Sequence, residues 1–272
     1  MCNTCGCNIP HRSQLSLGNG EIRAIRPVKR AGAQTVAVLQ NLLQDNDNQA
    51  ARNRAQFDAH GTRVFNLMSS PGSGKTALLE VTVEQLVARG VRVAVIEGDL
   101  ETENDAVRLR RKGVPVVQIT TGMACHLDAQ MINAAWQTLA VDPIDILFIE
   151  NVGNLVCPAS FDLGQHQNVV LLSVPEGDDK PEKYPVMFRQ AHAVLVTKVD
   201  LLPCFEEFST QRVVEEIDLL APHASLIMLS TKSPRTWTPW LSWLGEGASY
   251  RYRGGFIDEE AGSGKGRLAN EG

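Results

Sequence analysis

The chain lacks three features typical of membrane and nucleic-acid-binding proteins: an excess of positive charge, a long apolar run and an apolar signal core at its N-terminus. Its 26 lysines and arginines are outnumbered by 31 aspartates and glutamates, which gives a formal net charge of -5. A negative balance provides no general attraction to nucleic acid or to an anionic membrane. Apolar runs such as residues 146–149 are far too short to cross a bilayer. We therefore expect a cytoplasmic protein with reduced thiols, and neither nucleic acid nor a membrane as its partner.

The length and apolar content are sufficient for one good-sized core with appendages. The chain has 272 residues, of which 43% are hydrophobic. Glycine and charged residues dominate the C-terminal stretch, which is typical of disorder. The expected regions are a flexible N-terminal tail at residues 1–26, a helical segment at 27–62, an α/β domain at 63–246 and a disordered tail at 247–272.

Apolar residues in the N-terminal part recur at helical spacing from Ala33 to about Phe57. The polar cluster at residues 45–48, Asp-Asn-Asp-Asn, interrupts this pattern. We therefore predict two helices separated by this cluster.

From Arg63 onward, short β-branched runs alternate with helical patterns. Strands are predicted at residues 64–68, 91–96, 114–119, 144–149, 169–174, 193–197 and 226–229. Helices are expected between most of these strands, notably at residues 76–88, 127–139 and 206–220. This alternation predicts an α/β fold with a mostly parallel sheet flanked by helices.

Half of the six cysteines lie in the first seven residues, at Cys2, Cys5 and Cys7. Three thiolates on a short loop can converge on one soft or borderline metal ion. A redox Cys-x-x-Cys pair is the alternative, but that motif requires a strand-to-helix setting, and residues 1–20 are polar and glycine-rich. We therefore predict a metal site in the N-terminal tail.

The strongest catalytic signal follows the first predicted strand, where residues 69–76 read Ser-Ser-Pro-Gly-Ser-Gly-Lys-Thr before an apolar helix. This is the setting of a P-loop, whose backbone N–H groups and helix N-terminus bind phosphates. Lys75 then reaches the β and γ oxygens, and the Thr76 hydroxyl ligates Mg²⁺. Ser69 departs from the generic motif, which begins with glycine. Further contacts to the nucleotide are expected from Gly72, Ser73, Gly74 and Ala77.

Other parts of a nucleotide site follow in the expected order. Asp99 lies at the carboxyl end of the second predicted strand, where open α/β sheets bind their ligands. It could hold Mg²⁺ or position the attacking water, and a loop or capping aspartate is the alternative. Gly153 closes a Glu-Asn-Val-Gly segment after the fourth predicted strand, where its N–H would contact the terminal phosphate. The predicted catalytic residues are Lys75, Thr76 and Asp99.

Residues 197–200, Thr-Lys-Val-Asp, match the guanine-reading Asn-Lys-x-Asp pattern except at the first position. The carboxylate of Asp200 can accept two hydrogen bonds from guanine N1 and N2, which adenine cannot offer. The stem of Lys198 can pack along the base. Thr197 stands where the motif has asparagine, so the guanine signature is incomplete. Residues 230–232 resemble the weaker loop that backs the base.

Three other potential metal ligands lie beside these nucleotide motifs. Cys125 and His126 begin a predicted helix, and Cys157 follows the phosphate-sensing loop by a few residues. Each could instead be an ordinary packed cysteine or polar histidine. Together they supply three ligands, one fewer than a closed tetrahedral site, which water or another subunit could complete.

The motifs together resemble those of the HypB family, the nickel-insertion GTPases of hydrogenase maturation, within a class that includes the urease accessory GTPases. The similarity extends from about residue 34 to 244, together with the first seven residues. The residues that carry it are Cys2, Cys5, Cys7, and the segments 69–76, 97–99, 122–129 and 148–158.

The resemblance implies GTP hydrolysis with Mg²⁺, a tight nickel site at the N-terminal cysteines, and a second site for nickel or zinc. The ligands of that second site would be Cys125, His126 and Cys157, at a nucleotide-dependent homodimer interface. The resemblance also implies delivery of nickel towards the hydrogenase large subunit, with a HypA-type metallochaperone as partner. The six histidines are not clustered, so the chain lacks the histidine-rich storage tract of some relatives.

Several classes of function remain open at this point. An accessory GTPase for urease or a cobalamin enzyme is the nearest alternative. A P-loop small-molecule kinase would explain Lys75 but leaves the N-terminal cysteines and Asp200 without a role. A passive metal store or sensor would explain the cysteines but not the nucleotide motifs.

Overall fold

One nine-stranded sheet organises the chain. The computed structural model describes residues 14–16, 22–24, 35–99, 104–122, 124–139 and 143–246. The strands are β1 (Gln14–Ser16), β2 (Ile22–Ala24), β3 (Arg63–Met68), β4 (Val93–Asp99), β5 (Val116–Thr120), β6 (Ile146–Glu150), β7 (Gln167–Ser173), β8 (Ala193–Thr197) and β9 (Ser225–Met228). Their order across the sheet is β2-β1-β5-β4-β6-β3-β7-β8-β9, and β3 to β9 pair in parallel.

Helices flank the sheet as the alternating sequence pattern predicts. They are α1 (Thr35–Ala59), α2 (Lys75–Val87), α3 (Asn104–Arg110), α4 (Ala129–Leu139), α5 (Lys180–Lys183), α6 (Pro185–Arg189), α7 (Thr210–Leu220) and α8 (Thr238–Glu246). None of the helices within the described ranges combines the length and the apolar character needed to cross a bilayer.

The central strands are buried on both faces, which explains why they read as continuous apolar runs. One face packs against α2 and α8, where Trp240 and Trp243 are fully buried. On the other face, Phe57 of α1 contacts Trp136 of α4 edge to face, with ring centroids 5.0 Å apart. Because all seven parallel strands point the same way, their carboxyl ends share one edge of the sheet, and the nucleotide motifs meet there.

The N-terminal helix differs from the prediction of two helices. Helix α1 is continuous over 25 residues and runs through the polar cluster. The reason is tertiary: Asn46 is buried, its Nδ2 donates to the carbonyl of Asp162, and its Oδ1 accepts from the N–H of Ala129. These hydrogen bonds outweigh the low helix propensity of asparagine. The prediction of a break at residues 45–48 is therefore wrong.

Two short strands lie within the N-terminal region that the sequence predicts to be a flexible tail. Strands β1 and β2 pair antiparallel with each other, and β1 pairs antiparallel with β5. Without β1, the outer side of β5 would be an open sheet edge with unpaired backbone groups. The predicted ligands Cys2, Cys5 and Cys7 and the predicted C-terminal tail at 247–272 lie outside the described residues.

Candidate nucleotide and metal sites

The loop between β3 and α2 has the backbone shape of a phosphate cradle. Gly72 and Gly74 adopt positive φ angles of 76° and 98°, a region that strains other residues. Gly74 is the N-cap of α2, and no side chain caps this helix end. The first N–H groups of α2 therefore face a site that favours an anion. Ala77, the last of the predicted phosphate contacts, is half-buried in the first turn.

Ser69 is the hydrogen-bond partner of the P-loop lysine. The Nζ atom of Lys75 donates to Ser69 Oγ at 2.8 Å, and the hydroxyls of Ser73 and Ser69 are hydrogen-bonded to each other. Burial lowers the pKa of Lys75, whereas the negative charge of Glu150 opposes that shift. The residue that departs from the generic motif thus supplies a polar partner for the buried ammonium group.

Two buried carboxyl groups lie behind the P-loop, on neighbouring strands. Glu97 of β4 and Glu150 of β6 are register partners, and both are almost fully buried. The hydroxyl of Thr76 donates to Glu150 Oε1 at 2.7 Å. The Oε2 atoms of both glutamates have no hydrogen-bond partner among the described residues. Such unsatisfied buried oxygens are unfavourable unless a cation or a proton neutralises them.

The electrostatics of this pair reflect that burial. Burial, reinforced by the charges of Glu150 and Asp99, raises the pKa of Glu97 to about 9. Burial also raises the pKa of Glu150 to about 7, although the charge of Lys75 and the hydrogen bond from Thr76 act in the opposite direction. In the absence of a cation, Glu97 is therefore protonated at neutral pH.

The donor set fits a hard divalent cation. Oxygen ligands are what Mg²⁺ prefers, and Thr76 and Glu150 already approach within hydrogen-bond distance of each other. Asp99 lies two residues beyond Glu97 on β4, so its side chain is on the same side of the strand. Sequence reasoning named Thr76 and Asp99 but missed Glu97 and Glu150 as site residues. The available signal was an acidic residue near the carboxyl end of each of two apolar strands.

Gly153 lies directly against the P-loop. A Cβ atom at this position would lie 3.0 Å from the Cα and N atoms of Pro71, a tight contact that would require the P-loop backbone to shift. The loop after β6 therefore lies beside the phosphate cradle.

The residues of the incomplete guanine signature contact the P-loop backbone. Thr197 Oγ1 donates to the carbonyl of Ser73 at 2.7 Å, and Lys198 Nζ donates to the carbonyl of Gly72 at 2.7 Å. Lys198 has a φ of 58°, the only positive value at a non-glycine residue in the described part of the chain. This left-handed geometry is unfavourable for lysine and is characteristic of functional positions.

Two residues that follow β9, Ser230 and Lys232, contact the carboxylate of Asp200. Its Oδ1 accepts from Ser230 Oγ at 2.6 Å, and its Oδ2 lies 3.2 Å from Lys232 Nζ. The hydrogen bond from Ser230 lowers the pKa of Asp200, so the carboxylate is ionised at neutral pH. An ionised acceptor suits a base edge that carries two N–H donors.

The structure brings Cys125, His126 and Cys157 together in one cluster. One ligand atom from each residue lies within 4.8 Å of the others, and the two Sγ atoms are 2.7 Å apart. Burial lowers the pKa of His126 to about 4, so its imidazole is neutral and can offer a lone pair. Two sulfur donors and one imidazole fit zinc or nickel. Phe161 stacks on the His126 ring, with a centroid distance of 3.8 Å.

One asparagine links the phosphate-sensing loop to the metal cluster. Asn151 Oδ1 accepts from the N–H of Val152 at 2.9 Å and from the N–H of Leu127 at 3.3 Å. Leu127 directly follows His126, whereas Val152 precedes Gly153 in the loop against Pro71. Sequence reasoning placed Asn151 in the loop but gave it no role. Its side chain gives the two sites a direct connection.

Comparison with known proteins identifies relatives of this chain. The family model for the nucleotide-binding domain of CobW/HypB/UreG matches residues 63–227, which is more than half of the chain. The hydrogenase maturation factor HypB of Azotobacter chroococcum is 46% identical over 230 residues, covering 85% of this chain and 74% of the relative. HypB of Escherichia coli K12 is 50% identical over 204 residues, covering 75% of this chain and 70% of the relative.

A solved structure shows the same architecture at similar sequence identity. The crystal structure of HypB from Helicobacter pylori in complex with nickel superposes with a TM-score of 0.71 at 45% identity. The match covers 78% of this chain and all of that structure. The chain therefore belongs to the HypB family, within the CobW/HypB/UreG group of nucleotide-binding proteins.

Proposed function

We propose that this protein is a metal-binding GTPase that couples GTP hydrolysis to nickel delivery during maturation of nickel-iron hydrogenase. The observation that carries the proposal is the connection through Asn151 between a phosphate-sensing loop and a cluster of Cys125, His126 and Cys157. The names of the relatives, hydrogenase maturation factors, and the nickel complex of the Helicobacter pylori protein support the choice of metal and client. A kinase or a passive metal store needs only one of the two linked sites.

Hydrolysis would depend on charge neutralisation around the terminal phosphate. Lys75 and the backbone N–H groups of the P-loop stabilise negative charge on the transferring phosphoryl oxygens, and Gly153 donates its N–H to the terminal phosphate. Mg²⁺, held through Thr76 and the nearby carboxylates, supplies further neutralisation when bound. Asp99 orients the attacking water or an ion-bound water at the carboxyl edge of β4. The product pair is GDP and phosphate.

Guanine selectivity is the first test of this function. We expect a higher kcat/KM for GTP than for ATP, because an ionised Asp200 matches the N1 and N2 donors of guanine. Asp200→Asn should lower that preference, since one acceptor becomes a donor. Equal catalytic efficiency with both nucleotides in the wild type would refute the guanine assignment.

The N-terminal cysteines form a nickel site of their own in this proposal. Their replacement by alanine at positions 2, 5 and 7 should remove one equivalent of tightly bound Ni²⁺ while GTP hydrolysis persists. Equilibrium dialysis with Ni²⁺, in the presence and absence of nucleotide, measures the stoichiometry. An unchanged stoichiometry in the triple variant would contradict this part of the proposal.

The proposed partners are a HypA-type metallochaperone, the hydrogenase large subunit and a second copy of the chain in the GTP-bound state. The Cys125 cluster has three ligands per chain, so a dimer interface could complete it. The test in cells is whether a deletion strain loses hydrogenase activity and whether added nickel restores it. A urease client is the second candidate, because a 47% identical relative from Helicobacter pylori is named a hydrogenase/urease maturation factor. Loss of urease but not hydrogenase activity would favour that client.

A further inference from the structure

Helix α1 forms hydrogen bonds with both segments that carry the ligands of the metal cluster. Oδ1 of Asn46 accepts from the N–H of Ala129 at 2.9 Å, and its Nδ2 donates to the carbonyl of Asp162 at 2.8 Å. Ala129 lies three residues after His126, and Asp162 lies five residues after Cys157. One side chain of α1 thus bridges the two ligand segments.

Asn53 repeats this bridge on the same face of α1, two turns later. Its Nδ2 donates to the carbonyl of Ala129 at 2.8 Å and to the carbonyl of Leu163 at 3.0 Å. Asn53 is only 1% exposed, and its Oδ1 accepts from Gln49 Nε2 at 2.8 Å. A buried amide whose hydrogen bonds all go to protein groups fixes the separation of those groups.

The loop after Cys157 also lies in direct contact with the backbone of α1. Gly164 has a φ of 91°, and a Cβ atom there would lie 2.6 Å from the carbonyl oxygen of Ala50 and 2.7 Å from Asn53 Cβ. Any larger residue must therefore move the loop away from the helix. The approach that the asparagine bonds require depends on this glycine.

The loop in turn covers one of the metal ligands. Phe161 precedes Asp162, the residue bonded by Asn46, and its ring stacks on His126 at an interplanar angle of 19°. Helix α1 therefore acts on His126 from two sides, through Ala129 in the chain and through Phe161 above the ring.

We propose that α1 is a positioning element for the metal cluster, in which Asn46 and Asn53 hold the Cys125–His126 segment and the Cys157 segment at ligand distance. The proposal rests on the proposed function of the cluster as a metal site. Neither asparagine touches the metal ligands, so their action is indirect. Loss of either side-chain amide leaves the backbone groups that it contacts without these hydrogen bonds and lets the two segments separate.

The distance between the segments can be measured without a metal. A background in which Cys2, Cys5, Cys7 and Cys204 are serine leaves two cysteines, at the cluster. Oxidised glutathione then takes up the electrons of the two thiols, which yields the Cys125–Cys157 disulfide and two reduced glutathione molecules. The equilibrium constant of this exchange reports how often the two sulfur atoms meet. Zinc affinity of the same variants is measured in parallel.

Three variants weaken the bridge in different ways: Asn53→Leu, Asn46→Ala and Gly164→Ala. We expect each to lower both the exchange constant and the zinc affinity by about tenfold. The matched control is Asn48→Leu, which changes an exposed asparagine of the same helix, and it should leave both values unchanged. Thermal unfolding and GTP turnover identify the variants that remain folded.

The outcomes separate this inference from the proposed function. Unchanged exchange constants in the folded bridge variants would overturn the positioning role of α1, whether or not the cluster binds metal. A tenfold fall in the exchange constant, in a protein whose wild type binds no zinc or nickel at the cluster, would support the positioning role and refute the metal function. If the exchange constant of Asn48→Leu falls as much as that of Asn53→Leu, the inference is also overturned, because the effect then does not depend on the bridge.

Discussion

The phosphate site and the metal cluster are built in opposite ways. The phosphate cradle comes from consecutive residues between β3 and α2, and the carboxyl groups behind it are fixed by the pairing of parallel strands. The metal cluster instead gathers Cys125, His126 and Cys157 from two segments outside the sheet. The cradle is rigid because of the sheet, whereas the cluster depends on loops and on the helix that braces them.

This difference separates the two chemistries and still allows coupling. Because the two sites share no ligand residue, we expect replacement of a cluster ligand to leave the cradle intact, and replacement of a cradle residue to leave the cluster ligands in place. Coupling between the two sites requires an element that contacts both. Asn151 is such an element, because its side chain accepts hydrogen bonds from Val152 in the phosphate-sensing loop and from Leu127 beside the metal cluster. A phosphate that moves the loop before Gly153 would change the geometry of the His126 segment.

The largest expected effect is on the cradle. Lys75→Ala should lower GTP turnover by at least about 100-fold, since it removes the ammonium group that neutralises charge on the transferring phosphoryl oxygens. Zinc or nickel affinity of the nucleotide-free cluster should not change. Phosphate release and metal titration measure the two values, and Lys112→Ala, at a half-buried lysine paired with Glu84, is the matched control. Turnover near the wild-type rate would show that hydrolysis occurs elsewhere.

The next effect concerns the cluster and its response to nucleotide. Cys157→Ala should weaken the second metal site by roughly 100-fold, while GTP turnover and the N-terminal site persist. In the wild type, metal affinity should differ between the GDP form and a non-hydrolysable GTP form by about fivefold or more, and the GTP form should dimerise. Metal titrations and sedimentation at matched protein concentration measure both properties.

Cys204→Ala is the control for this substitution, because Cys204 is exposed and lies outside the cluster. Its metal affinity should equal that of the wild type. Identical second-site affinities in the two wild-type nucleotide states would exclude coupling, even if both metal sites were real. By linkage, the metal must alter the ratio of GTP affinity to GDP affinity by the same factor, which provides an independent check.

The two regions also differ in how far the sequence predicts them. The cradle is contiguous, so its strand, glycines, lysine and helix can be recognised within a single segment. The predicted strands agree with the observed ones to within a few residues, because runs buried on both faces have a clear apolar pattern. Helix α7 begins at Thr210, whereas the sequence pattern predicts a start at residue 206. The helix is capped by Ser209, whose Oγ accepts a hydrogen bond from the N–H of Arg212, and apolar periodicity does not detect such a cap.

The missed residues depend on contacts between segments far apart in the chain. Glu97 and Glu150 become a pair only through the register of β4 and β6, which no local pattern specifies. Asn46 favours a helix break by its intrinsic propensity, but its two tertiary hydrogen bonds reverse that preference. The cluster ligands could be proposed from their proximity to the motifs, whereas the bridge that holds them could not.

A smaller effect tests the energetic cost of burying the Glu97 carboxyl group behind the P-loop. The pKa of Glu97 is about 9 in the folded protein and near 4.5 as its ordinary value. Unfolding therefore releases a proton between these pH values, and this group lowers the free energy of unfolding as pH rises through that window. Glu97→Gln should raise the unfolding free energy at pH 8 by on the order of 2 kcal/mol in the absence of Mg²⁺ and nucleotide.

Denaturant unfolding at several pH values measures this difference, which should shrink towards pH 4.5 and disappear below it, where the wild-type carboxyl becomes protonated in both states. Glu84→Gln, at an exposed glutamate, is the control. Loss of the stabilisation on addition of Mg²⁺ and GTP would support a role for Glu97 at the ion. A variant less stable than the wild type at pH 8 would contradict the burial argument.

The smallest expected effect distinguishes two roles of Thr197, at the border between cradle and base site. Its hydroxyl donates to the carbonyl of Ser73, so Thr197→Val should weaken the cradle for both nucleotides and lower kcat/KM for GTP and ATP alike by about threefold. Thr197→Asn restores the amide of the guanine signature and should change the ratio of GTP to ATP efficiency instead. Thr138→Val, which removes a similar hydroxyl bond to a carbonyl in α4, is the control. If Thr197→Val instead lowers kcat/KM for only one of the two nucleotides, and so changes their ratio, Thr197 contacts the base, and the structural distinction between the cradle and the base-reading loop does not hold at this residue.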